Sequence, residues 1–381
     1  MNVLMIGLSD RILSGWGDVA ERHIEYADRL DHLHMIVYSP RANGYRQTAL
    51  SDRLTVYPTR SAARPAFLPD ALRIGVRIAR EHPIDLITTQ GPHTSGLIGV
   101  WLKRRLGVPL DIQNHSDFFD NRHWIAEKPL RYALFNRLGK WVIRRGDTHR
   151  VLNETEKAKY VAMGIDPARI AVLATPVRLG RFQPDPAAGV ALRQRMGIPL
   201  GCPVLLWVGR PGPVKRVTTL LEAFALLRAT HPEAHLVLVG DFATYEPERI
   251  EQGAPLGVHF PGPVEHAELP AYYTMADLYV HSSIYEGLGK VLIEAAACGT
   301  PAVSTATAGA QQIIADGETG LLCAIEDPAD MAAKIAGLLA DPARRARMGA
   351  AARAHVLAVY DHARNLDAVV ATWARTLELA G

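Results

Sequence analysis

Residues 285–303 read YEGLGKVLIEAAACGTPAV, and the fold is decided by how this stretch is parsed. Two carboxylates, Glu286 and Glu294, are separated by seven residues, with Gly287 and Gly289 between them. Good helix formers follow the glycines, so a helix is expected from about Leu288 to Cys298. Gly299 stops it, and Pro301 leads into a strand. The apolar run Leu278–His281 just upstream reads as another strand. Strand, glycine loop, helix, strand is the repeating unit of a helix-covered parallel sheet.

The same alternation runs outward in both directions. In the first half the strand candidates are Val3–Leu8, Leu33–Tyr38, Leu54–Tyr57, Asp85–Thr89, Leu110–Asn114, Thr148–Leu152 and Ile170–Leu173, with amphipathic stretches such as Val19–Leu30 and Ala71–Arg80 among them. A stretch holding Phe182, Pro184, Pro186, Gly189, Gly197 and Pro199 has little strand character and reads as a linker, residues 183–199. Beyond it come Val204–Val208, Leu236–Val239, Val258–Pro261, Leu278–His281, Ala302–Thr305 and Gly320–Ala324, with helical stretches such as Thr218–Ala229 between them. Met331–Leu379, rich in Ala and Arg, reads as several helices. The expectation is two doubly wound α/β domains facing across a cleft lined by the carboxyl ends of their strands, where ligands of such sheets bind. GLSDRILSGWG after the first strand does not match the Gly-x-Gly-x-x-Gly turn of nicotinamide enzymes.

Bulk properties agree with a globular two-domain chain: 381 residues, 48% apolar and 21% charged. Three scattered cysteines, Cys202, Cys298 and Cys323, fit neither a disulfide scaffold nor a metal-ligand spacing. MNVLMIGLSD lacks a basic leader and reads as a buried strand, and no apolar run is long enough to cross a bilayer. The expected location is cytoplasmic. The net charge of +3 hides an asymmetry, because residues 1–175 hold 25 Lys+Arg against 18 Asp+Glu, or +7. A basic first half points to an anionic partner. Within it, residues 128–145 carry Lys128, Arg131, Arg137, Lys140, Arg144 and Arg145 and no acid. Leu134, Leu138, Trp141 and Val142 fall on one helical face. That face either packs on the sheet or lies on anionic lipid at the inner face of a membrane. Nucleic acid is not expected, since no aromatic-basic recognition motif accompanies the charge.

The chemistry suggested by residues 285–303 is that of a nucleotide sugar. A helix N-terminus attracts phosphate, and glycines let the backbone approach a ligand closely. Glu286 can accept hydrogen bonds from sugar hydroxyls. Glu294 leans back toward the helix start, within reach of ribose hydroxyls. The bland alternative is a solvated helix whose glutamates do nothing. A second element, VGRPGPVKRVTTLLEAF (208–224), ends a strand and presents Arg210 and Lys215 before a helix, two cations able to clamp a diphosphate.

Together these segments resemble glycosyltransferase family 4, the retaining transferases of the GT-B fold, whose signature is the Glu-x7-Glu element with Ala-x-Gly-x-Pro behind it. By this resemblance Glu286, Gly287, Leu288 and Gly289 would hold the donor sugar, Glu294 the ribose, and Arg210 and Lys215 the diphosphate. Arg216 stands where the family commonly has glycine. FPGPVEHAELPAYYTMADLYVHSS (260–283) is similar to the family segment that contacts the base, which places Pro263 and Val264 there. SGWGD (14–18) resembles the family's glycine loop. It makes Gly15 and Gly17 donor-facing candidates and Trp16 an acceptor-side one, although the usual adjacent glycines are absent. DIQNHSDFF (111–119) offers His115 as the histidine near the reacting sugar. His93, in QGPHTS (90–95), competes for that role, and Asp117 is a further acceptor-binding candidate.

The resemblance implies an acceptor-side domain over 1–182, a nucleotide-sugar domain over 200–360, and a last helix within 361–381 that crosses back to the first domain. It implies retaining transfer of a hexose-type sugar from a UDP- or GDP-sugar to a saccharide or lipid-linked acceptor in glycan biosynthesis. His115, Arg210, Lys215 and Glu286 would be its catalytic set. The nucleotide sugar is a co-substrate, no other cofactor is called for, and fixed cations take the place of a metal. Two rivals share the constellation. One is a phosphorylase or sugar-nucleotide epimerase of the same fold; the other is a non-catalytic nucleotide-sugar binding protein.

Overall fold

A computed structural model describes residues 1–15, 17–242 and 255–380 of the chain. It divides into two units, one of Met1–Pro176 with Ala363–Gly381 and one of Val177–His362.

The first unit alternates strands and helices: β1 (Asn2–Gly7), α1 (Asp18–Ala27), β2 (His32–Val37), β3 (Thr48–Ser51), β4 (Leu54–Pro58), α2 (Phe67–Glu81), β5 (Leu86–Thr89), α3 (Thr94–Leu106) and β6 (Leu110–Gln113). It continues with α4 (Arg122–Glu127), α5 (Pro129–Ile143), β7 (Thr148–Val151), α6 (Glu154–Ala162) and β8 (Ile170–Val172). Its eight strands run in the order β3-β4-β2-β1-β5-β6-β7-β8, with only the β3–β4 pair antiparallel. The central strands are buried on both faces, as their near-continuous apolar runs require. β3 was not anticipated: Thr-Ala-Leu-Ser is short, weakly apolar and at the sheet edge.

The second unit holds α7 (Pro186–Arg195), β9 (Val204–Val208), α8 (Val217–Arg228), β10 (His235–Val239), β11 (Val258–Gly262), α9 (Leu269–Met275) and β12 (Leu278–His281). After these come α10 (Lys290–Ala297), β13 (Ala302–Thr305), α11 (Ala308–Ile313), β14 (Gly320–Cys323), α12 (Pro328–Leu339) and α13 (Pro342–Val359). Its sheet is parallel throughout, ordered β11-β10-β9-β12-β13-β14. Trp207, Phe224, Leu236, Val280 and Ile335 are among the buried residues of its core.

Two expectations about the chain's organisation need correction. Residues 183–199 are not a bare linker, because they contain α7, which belongs to the second unit. The Asp185 carboxylate caps α7 by accepting from the Ala188 amide at 3.0 Å, and the Asp185 amide donates to Thr274 Oγ1 at 3.1 Å. Arg193 then donates to the Met275 carbonyl at 2.7 Å and pairs with Asp277 at 2.9 Å. Pro186 does not prevent this helix, since a first-turn proline needs no amide partner. Leu134 also leaves the packed face of α5. The buried positions are Asn136, Gly139, Val142 and Ile143, while Leu130 and Leu134 are 92% and 63% exposed.

The last helix, α14 (His362–Ala380), is part of the first unit from Ala363 onward. Leu366, Val369 and Trp373 are buried with Val3, Met5, Tyr26 and Leu86. Trp373 Nε1 donates to the fully buried Asp111 at 3.2 Å, and Thr376 meets Thr148 at 2.6 Å between hydroxyls.

Candidate active site

In the second unit the strand order reverses between β9 and β12, neighbours that lead away in opposite directions along the sheet. The loops leaving the carboxyl ends of these two strands therefore share one crevice, the usual ligand position in an open α/β sheet. One loop carries Arg210 and Lys215, and the other carries Glu286 to Gly289. They are stitched together by Ser282 Oγ donating to the Lys215 carbonyl at 2.7 Å and the Ile284 amide donating to the Val214 carbonyl at 2.9 Å.

Within this crevice Lys215 Nζ donates to Glu286 Oε2 at 2.6 Å. His281 Nε2 lies 3.7 Å from the same oxygen. Burial pushes the Glu286 carboxyl up, but the His281 contact and the Lys215 charge outweigh it and hold the group down at about 2. Burial also keeps His281 below its ordinary value, so the formal charge facing Glu286 is that of Lys215. Arg210, on the same loop, is exposed.

The Glu286 loop has a constrained backbone. Gly289, at φ 80°, caps the start of α10 in the left-handed region, where only glycine is unstrained. No side chain caps α10. Gly309 passes so close that a Cβ there would lie 2.8 Å from the Leu288 backbone, and its amide donates to the Glu286 carbonyl at 3.1 Å. Leu288 itself is buried. Arg216, the departure from the expected glycine, adopts φ 43° and ψ 48° at the start of α8. The position demands a left-handed backbone, which is the physical reason a glycine suits it. Here an ion pair with Glu326, itself at φ 59°, holds the arginine at 2.6 Å.

Glu294 lies one helical segment further on and is only 4% exposed. Its Oε2 accepts from Tyr273 OH at 2.9 Å, and its Oε1 is 3.7 Å from His266 Nε2. Pro263 and Val264 follow the carboxyl end of β11, just beyond Gly262 at φ 84°.

The first unit has a second such crevice, where the order reverses between β1 and β5. Gly15 (φ 77°) ends a short turn after β1, and Gly17 (φ 84°) starts α1; Trp16 lies outside the described residues. After β5 and β6 come His93 and His115, which both line a cavity of about 630 Å3 with Gln90, Trp124, Tyr132 and Phe135. The His93 ring stacks on Phe135 at 5.6 Å, and burial pushes it down to about 4. His115 is driven down to about 3, first by burial and then by the charges of Arg150, Arg22 and His23. Both rings are neutral near pH 7 and suited to hydrogen bonding rather than to ion pairing. Asp117 is not in the cavity wall. Its carboxylate contacts Lys159 and accepts from Asn121 Nδ2 at 2.9 Å, within a buried group that includes Glu156.

Sequence reasoning missed Arg22 and Arg150. They line a smaller cavity of about 210 Å3 with His115, Gln90 and Gln113. Arg150 donates to Gln113 Oε1 at 2.9 Å and to the carbonyls of Leu173 and Ala174 at 3.1 and 2.7 Å. An arginine inside the strand THRV was the available signal, because a buried charge is costly unless a partner or a function retains it.

Comparison with known proteins adds to this geometry. Residues 14–176 match the family model described as a glycosyl transferase 4-like domain, and residues 191–355 match that of glycosyl transferases group 1. A D-inositol 3-phosphate glycosyltransferase of Thermomonospora curvata is 33% identical over 279 residues, covering 68% of this chain and 65% of that protein. One from Geodermatophilus obscurus is 36% identical over 242 residues, covering 60% and 52%. The chain therefore spans less than two thirds of the length of these relatives. Sucrose-phosphate synthase from Thermosynechococcus elongatus superposes with a TM-score of 0.82 at 24% identity, over 100% of both chains. Anabaena HepE, in complex with UDP and glucose, does so with a TM-score of 0.77 at 20% identity, over 98% of this chain and 100% of that one.

Proposed function

Because the chain belongs to the group 1, family 4-like glycosyltransferases and has the GT-B fold, we propose that it moves a hexose-type sugar, with retention, from a UDP- or GDP-sugar to a hydroxyl of an acceptor. The observation that carries this reading is the convergence of Lys215 and Glu286 at the strand reversal of the second unit, 2.6 Å apart. A nucleotide sugar brings a diphosphate to Lys215 and hydroxyls to Glu286, so each group finds a partner of the right charge. Lys215, Arg210 and the start of α10 offset the charge that develops on the leaving diphosphate as its bond to the anomeric carbon breaks. These fixed cations supply what a metal would otherwise supply. Glu294, oriented by Tyr273, takes the ribose, and Pro263 and Val264 flank the base.

The acceptor belongs to the first unit, in the cavity lined by His93 and His115. Aromatic walls suit the apolar face of a sugar ring. The relatives named for D-inositol 3-phosphate favour an acceptor carrying a phosphate, and Arg22 and Arg150 provide positive charge beside His115. A saccharide or lipid-linked acceptor bearing an anionic group fits the same wall. Work at a cytoplasmic membrane face is part of this proposal. It is favoured by the exposed Leu130 and Leu134 of α5 beside Arg131 and Arg137. Among the described residues no helix is long and apolar enough to cross a membrane.

A thermal-shift panel of nucleotide sugars tests the donor, since a ligand bound only by the folded protein stabilises it by mass action. The true donor raises Tm above its free nucleotide diphosphate. Product analysis with and without inorganic phosphate then separates transfer from phosphorolysis or epimerisation. Stabilisation by no nucleotide sugar would overturn the proposal, and binding without turnover would leave a binding protein in its place.

A further inference from the structure

At the amino end of the first unit's sheet, opposite its reaction-side loops, five cations surround one cavity of about 310 Å3: Lys103, Arg104, Arg144, Arg145 and Arg169. The cavity has one acid, Asp147. Both of its oxygens are taken by Lys103 Nζ at 2.6 Å, and the Leu110 amide donates to one of them at 2.8 Å. That leaves four guanidinium groups with no carboxylate within 4.0 Å among the described residues. Arg145 is held in place by stacking on Trp141, 3.7 Å from the ring centroid, and by donating to the Trp141 carbonyl at 2.8 Å. Like charges gathered in one concavity repel, and an anion bound among them relieves that repulsion.

Arg169 also lines a second cavity, of about 260 Å3, that is otherwise different in character. Ala168, Ala171 and Leu173 from the edge of the sheet face Ala368 and Ala371 of α14 across it. Thr148, Thr372 and Arg375 complete its wall, so the furrow is lined mainly by small apolar side chains with a second arginine at its border. A cationic basin and an apolar furrow meeting at one arginine match a molecule with a phosphate at one end and an alkyl chain at the other.

We propose that this edge of the first unit binds an anionic, phosphate-headed lipid, with the phosphate in the Arg104–Arg144–Arg145–Arg169 basin and an acyl chain along α14. The site is separate from the residues assigned to transfer, so it anchors the protein at a phosphate-rich bilayer without taking part in the reaction. It also gives a place for part of the +7 charge of residues 1–175.

The test is calorimetric titration of the full chain with three probes: dihexanoyl phosphatidylglycerol below its micellar concentration, dihexanoyl phosphatidylcholine, and inorganic phosphate. The anionic lipid is expected to bind most tightly. Arg104→Gln with Arg169→Gln should weaken it by about tenfold or more, since two charge-assisted contacts are lost, with Tm unchanged. Ala371→Trp, at an exposed position, should weaken the lipid but not inorganic phosphate. Turnover with soluble donor and acceptor should be the same in all three proteins, so failure here is distinguishable from failure of the transferase reading. Equal binding of both lipids, or an unchanged affinity in the double arginine variant, would overturn the site. Phosphate binding as tightly as the anionic lipid, unaffected by Ala371→Trp, would remove the lipid and leave a simple anion pocket.

Discussion

Replacing Lys215 by methionine keeps the stem and removes the charge, and the structure sets the expected size of the effect. The folded protein holds Glu286 at about 2 against an ordinary 4.5. At 1.36 kcal/mol per pKa unit this is about 3 kcal/mol in favour of the ionised form. Both side chains are 24% exposed, so solvent screening trims the stability contribution to about 2 kcal/mol. A depressed carboxyl contributes stability that is fully present above its unfolded value, near 4.5, and lost as pH falls toward 2. In Lys215→Met the burial of Glu286 is opposed by the His281 contact alone, and its pKa rises by the share that the lysine supplied. The remaining burial cost then grows as pH rises. Because the His281 contact remains, the variant should lose about half of this, roughly 1 kcal/mol at pH 7, with the gap closing below pH 4.5. Urea unfolding followed by Trp207, the only tryptophan of the second unit's sequence, reads this directly. Glu286→Gln and the double variant complete a thermodynamic cycle, and turnover of Lys215→Met should drop by about a hundredfold or more. Single-variant effects that add to within about 0.5 kcal/mol, with the same pH profile in all proteins, would refute the coupling.

Tyr273→Phe deprives the buried Glu294 of its hydroxyl donor; the donor KM should rise severalfold with kcat little changed, and Glu294→Ala should exceed it, as steady-state kinetics will show. Gly309→Ala drives a methyl into the Leu288 backbone; it should cost about 1–3 kcal/mol and shift the Glu286 loop, seen as lost thermal stabilisation by the donor. His23 and His149 are buried and held down at about 3. Such lowered groups stabilise the fold above their unfolded value near 6.5 and lose that contribution as pH falls toward 3. Unfolding free energy should fall with acid by about 1 kcal/mol per pH unit for each histidine. His149→Phe, replacing a ring whose nitrogens have no hydrogen-bond partner among the described residues, should flatten the slope measured by urea titration from pH 6.5 to 4.5. Asp111, raised to about 6, and Glu156, raised to about 8, work in the opposite direction, against the five histidines His23, His34, His93, His115 and His149 held down at about 3 or 4.

Periodicity and loop chemistry alone determined most of the two sheets. Val204–Val208, Leu278–His281 and Ala302–Thr305 are strands over the same residues in the structure, because a strand buried on both faces must be apolar along its whole length. The segment from Glu286 to Pro301 was legible for the same reason: a left-handed cap, a helix and a stop are written in consecutive residues. The meeting of Lys215 with Glu286, seventy-one positions apart, was not legible from spacing. It depends on β9 and β12 being neighbours in a sheet whose order departs from the order of the chain. Arg22 and Arg150, the seat of Trp373 on Asp111, and the helix in place of a linker at 186–195 belong to the same class. Each is defined by partners far away in sequence. Local pattern encodes which elements form, because backbone geometry and burial act over a few residues; tertiary packing alone decides which charges end side by side, because that depends on where whole strands are placed.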